Sequence, residues 1–469
     1  MEKRKGFLFQ VMLPPVMLLI IYVVEYLYPC SIVRNNKFSD LLNSDLLTGI
    51  KLSLIVIPAL FLLNKLTIKN IEPKLFSKTD GRSLIIFGLF LYSGVLIFSQ
   101  YRFGDYRFLF RYMGVPAHIR NNFNDLRVIT SAMDCVGAGK DPLTDGNCDP
   151  KFIYNYPKIW YVLHYWGIGQ KHTIPLAILF ISAFLTTLFV FIKKLRFING
   201  IIWSMVIISP PVILSIERCN NDLIIFTLLA ISIHLLNKKN IANYWGYLLI
   251  LFGTFLKLYP VFALVTIFRE FKPNRLKAGL FLGIPLIAYA VLFFDELVLV
   301  NNRSPRPSGN YAFGALTWLD NFRFYFQIPN SSATELIFGI YGLILLIIAF
   351  SIYRSFKKPV NVHNTLNMDA FRIGAGIFIG CFILGNNYDY RLIFLIFCIP
   401  QVLEWLKDDK INTTLHTIAL ISIVLFMQYN FVFKHFFFGI QEFHAKAILS
   451  WLVFGYLVYH LMKFINIKF

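Results

Sequence analysis

Charge is what this chain has least of. Only 15% of its 469 residues are Asp, Glu, Lys or Arg, against 57% hydrophobic, and the mean hydropathy is +0.62. So little charge cannot cover the surface of a water-soluble globule of this length, which excludes that class. Carboxylates are the scarcer sign, 25 against 45 bases, for a net charge of +20. The bases are dispersed among the connections and form no single stripe, so nucleic acid is not the partner they imply. Anionic lipid headgroups and lipid phosphates are. The chain also lacks H-E-x-x-H or any comparable spacing: His118, His164, His172, His435 and His444 stand apart, so no metal and no cofactor are expected. There is no evident inverted repeat and no Gly/Ser-rich linker, which leaves one membrane domain without a soluble appendage.

What remains is a series of continuous apolar runs. Crossing the hydrocarbon takes about 20 apolar residues as a helix, whereas a barrel requires alternation. The runs therefore predict an all-α polytopic membrane protein. They lie near 7–27, 46–64, 83–99, 173–192, 200–215, 220–236, 243–256, 258–268, 278–298, 336–353, 371–385, 391–406, 413–431 and 446–463. The first follows Met-Glu-Lys-Arg-Lys-Gly and is longer than the apolar core of a signal peptide, with no small-x-small cleavage site after it, so it reads as a retained helix. Aromatic residues make up 17% of the chain, as suits lipid-facing surfaces and interfacial belts.

With the N-terminus in the cytoplasm, the basic clusters at 65–82, 193–196, 238–239, 269–277, 354–358 and 407–410 all fall inside. One condition applies. The stretch 243–268 has to enter and return, broken at Lys257-Leu258-Tyr259-Pro260, because a single crossing would put the 269–277 cluster outside. Pro260 lacks the amide hydrogen of a continuous helix, and a mid-run lysine is costly in lipid. The alternative is one long tilted helix with Lys257 snorkelling. The large external loops are then 100–172 and 300–335, and four polar clusters share the external face: the segment opened by Asp125, Glu217 to Asp222, Lys257 to Pro260, and Asn386 to Arg391.

Residues 125–136 are apolar enough for an interfacial amphipathic helix that Gly137-Ala138-Gly139 ends. Asp125 at its start is either a helix cap, favoured by the helix dipole, or a reactive carboxylate. Arg218 and Arg391 are either headgroup anchors or anion ligands. Asp222 and Asp389, within a turn of them, are expected to pair with and orient those arginines. Cys135 and Cys148 bracket GAGKDPLTDGN and could close a short loop or remain two thiols.

Taken in order, the motifs resemble the C-type glycosyltransferases of family 87, polytopic mannosyltransferase-like enzymes. The resemblance rests on Asp125-Leu126-x-Val128, Gly139, Lys140-Asp141-Pro142-Leu143 and Tyr154-Asn155-Tyr156-Pro157-Lys158 in the first external loop. Glu217-Arg218-x-Asn220 and Lys257-x-Tyr259-Pro260 continue it. Cys219 stands where the family has glycine and Lys158 where it has a second proline. The first two spans, within 1–82, look like an added N-terminal hairpin on a transferase core at 83–469. The resemblance implies a GT-C-like bundle of roughly 12–14 transmembrane helices in a bacterial plasma membrane, with short helices in a large first extracytoplasmic loop. It makes Asp125 the general base of an inverting transfer of a mannose-like hexose from a polyprenyl-phosphate donor to a glycolipid or glycan acceptor. Charge growing on the departing lipid phosphate needs cations, for which Arg218, Lys257 and Arg391 are the candidates. Tyr156, Asn220, Tyr259, Asp222 and Asp389 complete the expected site.

Two other classes fit the same architecture. A lipid or oligosaccharide transporter or flippase has many helices, a broken helix and intramembrane charges, but its site is expected near mid-membrane between related halves. A polysaccharide polymerase or ligase has a large external loop and paired arginines, without need of Asp125 or the Lys257-x-x-Pro260 element.

Overall fold

The computed structural model describes residues 81–103, 110, 113–115, 123–145, 153–192, 195–238, 242–270, 272–305, 307, 311–320, 330–357, 364–407, 413–436 and 440–464. The expected spans near 7–27 and 46–64 lie outside them. The described residues are almost entirely helical. α1 (Arg82–Phe103), α2 (Asn124–Gly137), α3 (Thr173–Phe191), α4 (Phe197–Ile207), α5 (Pro210–Glu217), α6 (Asp222–Leu236) and α7 (Ala242–Leu256) come first. After the 3-10 arm Tyr259–Arg269 come α8 (Lys272–Leu292), α9 (Phe294–Arg303), α10 (Asn330–Lys357) and α11 (Leu366–Ile383). A second 3-10 arm, Asp389–Cys398, leads to α12 (Ile399–Trp405), α13 (Thr413–Met427), α14 (Tyr429–Phe436) and α15 (Ile440–Phe464). The one sheet among them is two residues per strand: Ala312 and Phe313 pair antiparallel with Tyr388 and Asn387.

Five of these helices are long and apolar enough to cross a membrane, six if α4 and α5 count as one bent span. The 50° bend between them falls at Ser209-Pro210-Pro211, where proline removes the amides a continuous helix needs. Several expected spans are thus shorter or broken in the fold. α6 and α13 have 15 residues each, and the run 391–406 is half 3-10 arm and half α12.

The stretch 243–268 does turn back. Tyr247 near the start of α7 donates to Glu270 Oε1 at 3.1 Å and Thr266 O at 3.4 Å. In one continuous helix residues 247 and 270 would stand about 34 Å apart at 1.5 Å per residue. The long-helix alternative fails on that contact. Lys257 and Leu258 form the apex, and the arm returns as 3-10 helix from Tyr259.

Both 3-10 arms lie on α11, and small residues let them close in. A Cβ at Gly376 would come within 2.4 Å of Phe262 O, one at Gly380 within 2.1 Å of the Phe262 ring, and one at Gly374 within 2.7 Å of Phe394 O. Such small-residue seams substitute for the hydrophobic drive that lipid does not supply. At the base of the hairpin Arg269 pairs with Asp369 of α11 at 3.1 Å, and Asp369 also holds Arg372 at 2.8 Å and accepts from Asn237 at 2.9 Å. A buried acid shared by two arginines and an amide meets the requirement that buried charge be paired.

The hairpin puts its apex and the start of α8 at opposite ends. Single cysteines at Leu258 and Asn274, in a background cleared of reactive native thiols, should react oppositely with an impermeant thiol reagent on intact cells. Labelling is expected at 258 and not at 274; labelling of both from one side would contradict the hairpin's orientation across the bilayer.

Candidate functional site

The turn between α5 and α6 builds the site. Asn220 and Cys219 donate back to the Ser215 and Ile216 carbonyls, and Cys219 sits at φ 43°, in the left-handed region. That is the conformation glycine adopts without strain, at the position where the resembled motif has glycine. The entry to α2 lies along this turn: Phe123, at φ 60°, donates to Glu217 O, and the Asp125 amide donates to Arg218 O at 3.1 Å. Asp125 therefore reaches its partners through paired backbone, with its side chain free of cap duty. The carboxylate takes Arg218 Nε at 2.9 Å and Nη2 at 2.8 Å on Oδ1, and Asn220 Nδ2 at 2.5 Å on Oδ2. The helix-cap reading of Asp125 gives way to a two-sided clamp on α5 and the following turn.

Lys257 reaches the same turn from the hairpin apex. Its ammonium donates to Asn220 Oδ1 at 3.0 Å, Asn221 Oδ1 at 2.6 Å and Asp222 Oδ1 at 2.6 Å, using all three protons. Tyr259 donates to Asp222 Oδ1 at 2.8 Å. The Tyr156, Tyr259 and Tyr390 rings surround the ammonium with centroids at 5.8, 5.9 and 5.3 Å, within cation–π range. Arg391 lies 4.8 Å over Tyr259 and donates to Asn387 Oδ1. Segments spread from residue 125 to 391 thus converge through contacts of this kind.

Asp222 and Asp389 depart from the expected pairing with the arginines. Asp222 pairs with Lys257. Asp389 instead faces α15, where Lys446 donates to it at 2.8 and 2.7 Å, and it accepts from Asn430 of α14 at 3.0 Å. Tyr388 and Tyr390 stack on each other at 5.3 Å, while Asp389 between them, the first residue of the 3-10 arm, faces α15. Asp389 therefore supports the site from behind. Lys446 and Asn430 are functional neighbours that the sequence reading missed. Lys446 read as the first residue of an apolar run, and no local pattern links it to Asp389, 57 positions away.

The external-loop segments close over the apex. Trp160 donates to Leu256 O at 3.2 Å, which ties the 3-10 turn Lys158–Tyr161 to the end of α7. Lys158 pairs with Asp141 at 2.5 Å, and Asp141 also accepts from Tyr161 at 2.7 Å and the Leu143 amide at 2.9 Å. Burial pushes the Asp141 carboxyl up, but those hydrogen bonds outweigh it and hold it below the usual carboxylate range. Its contribution is present above the ordinary carboxylate range and lost as pH falls through the depressed value. α9 joins in through Glu296, which accepts from the Lys158 amide at 2.8 Å, and Arg303, which donates to Pro142 O at 3.1 Å. Cys135 is disulfide-bonded, so it is not a free thiol; Cys148 lies outside the described residues.

Counted together, Arg218, Lys257 and Arg391 set three cations against Asp125 and Asp222, a formal excess of one positive charge. Arg218 is the more open of the two ion-paired cations, its side chain 28% exposed against 12% for Lys257. The buried Arg391 Nε and Asn221 Nδ2 have no hydrogen-bond partner among the described residues, which leaves donors for an anion. No group of three or more metal-ligating side chains occurs among the described residues. Against protein-family models, curated proteins and solved structures, the chain finds no match in any of the three comparisons.

The Asp389 and Lys446 pair makes a clean stability test, since removing one partner strands a buried charge at a cost of about 3–5 kcal/mol. Lys446→Met should lower the thermal midpoint of the detergent-purified protein strongly, and Asp389→Leu added to it should recover most of the loss. Equal losses in the single and double variants would show that the pair is not what anchors α15.

Proposed function

We propose that the chain is a membrane-embedded inverting glycosyltransferase that moves a hexose from a polyprenyl-phosphate donor to a glycolipid or glycan hydroxyl at the extracytoplasmic face. Its described helices are read as the core of a GT-C-like bundle of roughly 12–14 transmembrane helices. The observation that carries this reading is the joining of Asp125 to Arg218, with Lys257 and Arg391 gathered around one turn. An anion-binding cluster beside a carboxylate is what transfer from a lipid phosphate requires.

The chemistry follows from what each group holds. An acceptor hydroxyl oxygen attacks the anomeric carbon as the bond from that carbon to the phosphate oxygen breaks; the hydroxyl proton passes to Asp125, and polyprenyl phosphate leaves with the bond's electron pair. With Arg218 seated on Asp125 Oδ1, that oxygen is not open to an acceptor's proton. Arg218 resolves this when the donor arrives, because its planar fork suits phosphate as well as carboxylate. Turning that fork toward the phosphate releases Asp125 Oδ1 when a base is needed, while Asn220 keeps the carboxylate oriented through Oδ2. Lys257 is different in kind: its three protons are spent on the α5–α6 turn, so it contributes fixed positive potential and holds the hairpin apex in place. Arg391 supplies the second adjustable cation, braced on the Tyr259 ring.

Asp125→Asn keeps the volume and cannot take the proton, so sugar transfer from a synthetic polyprenyl-phosphate hexose in detergent should vanish while the variant still expresses and inserts in the membrane. An Asn variant with full turnover removes the base assignment. Detergent matters because it abolishes compartments: a transporter or flippase has nothing to move between there and should bind the donor without releasing polyprenyl phosphate.

Lysine swaps separate forked contact from simple charge. Arg218→Lys and Arg391→Lys should each weaken transfer by about 1.5–3 kcal/mol, roughly 10- to 150-fold, if the arginine makes a charge-assisted fork to the phosphate. Near-silent swaps at both positions, measured as kcat/KM for the donor, would reduce them to headgroup anchors.

A further inference from the structure

Away from the candidate site, a groove of about 650 Å³ lies between the returning arm and α8, within the size range that holds small ligands. Phe262 and Val265 form one wall, Leu276 and Leu280 the other, and Arg275 is the one charged residue that lines it. Its surroundings are those of a lipid-facing surface. Leu276 is 67% and Leu280 53% exposed, and the apolar window of α8 is 11% buried in the protein. In water so large an apolar exposure would be a liability; in hydrocarbon it is ordinary. A convex helix face takes whatever chains the bilayer offers, but a groove selects a single chain by shape.

The two ends of the groove differ in charge. At the base of the hairpin the Arg275 guanidinium lies 5.4 Å over the Phe268 ring and donates to Glu270 O at 3.0 Å and Phe268 O at 3.4 Å, so its place at the groove mouth is set. Residues 269–277 carry four cations, Arg269, Lys272, Arg275 and Lys277, against Glu270 alone. Toward the apex the groove ends at Val261. From Val261 to Arg269 the arm separates that end from the base by roughly 16 Å, at about 2.0 Å per residue of 3-10 helix. A lipid whose phosphate is held near Lys257 presents no phosphate to Arg275. The charge at the base calls for a second lipid with its own anionic headgroup.

We propose that this groove is a binding site for one anionic phospholipid, its acyl chain lodged between the arm and α8 and its phosphate at Arg275. The site lies on the opposite end of the hairpin from the apex cluster and stands whether or not that cluster transfers sugar. Gly279 makes the lodging possible: it lines the groove, and a Cβ built there meets nothing within 4 Å, so the space over it is open. A side chain added at 279 fills the groove without colliding with the fold.

The test is native mass spectrometry of the full-length, detergent-purified protein offered an equimolar mixture of phosphatidylglycerol and phosphatidylcholine with identical chains. Wild type should retain a single phosphatidylglycerol, favoured on the order of tenfold over phosphatidylcholine, as for one charge-assisted contact. Gly279→Phe should lose both lipids, and Arg275→Gln should keep one lipid but lose the headgroup preference. Gly339→Phe on α10, another glycine with open space around it, should behave as wild type. Equal retention of the two lipids by wild type, an unchanged Gly279→Phe, or equal loss in Gly339→Phe each overturns the proposal. So does one-for-one displacement of phosphatidylglycerol by polyprenyl phosphate, which would give the groove to the donor's tail.

Discussion

The placement of Lys257 governs the rest of the site. A lysine in the middle of an apolar run is tolerable only if its charge is paired and its protons are bonded. Asp222, with Asn220 and Asn221, meets all three protons at once. That requirement ties the hairpin apex to the turn between α5 and α6, and the turn in turn sets the entry to α2 through the Asp125 amide. Loosening the pair would strand a fully buried carboxylate and a mostly buried ammonium, so this contact holds the apex to the turn, while Asp125–Arg218 holds the first-loop helix to the same turn.

The second constraint is thinness. Two 3-10 runs of eleven and ten residues are long for a helix type that seldom exceeds one turn. Each starts at a site segment, Tyr259 in one and Asp389 beside Tyr390 and Arg391 in the other, and each lies on α11 where glycines admit close approach. A 3-10 run converts to α-helix by shortening, from about 2.0 to about 1.5 Å per residue. Such a change in either arm would move Tyr259 or Arg391 along the arm axis while α11 stays still.

The sequence conveyed the helices better than their partnerships. Apolar length and basic flanks located most described helices within a few residues, because both signals are local. The break at Lys257-Leu258-Tyr259-Pro260 was legible for the same reason: a proline and a lysine interrupting an apolar run is a pattern within four positions. The gathering of Asp125, Arg218, Asn220, Lys257 and Tyr259 was legible only through motif order. By contrast, proximity in sequence pairs Asp389 with Arg391, whereas the fold brings Lys446, 57 positions away, to it instead. The two 3-10 arms left no trace either, since their apolar runs read equally well as α-helix. Nor does anything near Trp160 announce that its indole will bond the end of α7.

The Asp125 and Arg218 pair gives the proposed chemistry its order of events. In the free protein the carboxylate and guanidinium neutralise one another, so a mostly buried carboxylate is not left as an unpaired charge. Arg218 is also the better hydrated of the two ion-paired cations, so an arriving phosphate competes for it more readily than for Lys257, whose release would open the hairpin apex. The exchange of carboxylate for phosphate on one guanidinium trades one charge-assisted contact for another. It leaves Asp125 Oδ1 open, with Asn220 still orienting the carboxylate through Oδ2. In the proposed transfer, the same contact that recognises the donor would thus free Asp125 Oδ1 to accept the acceptor's proton.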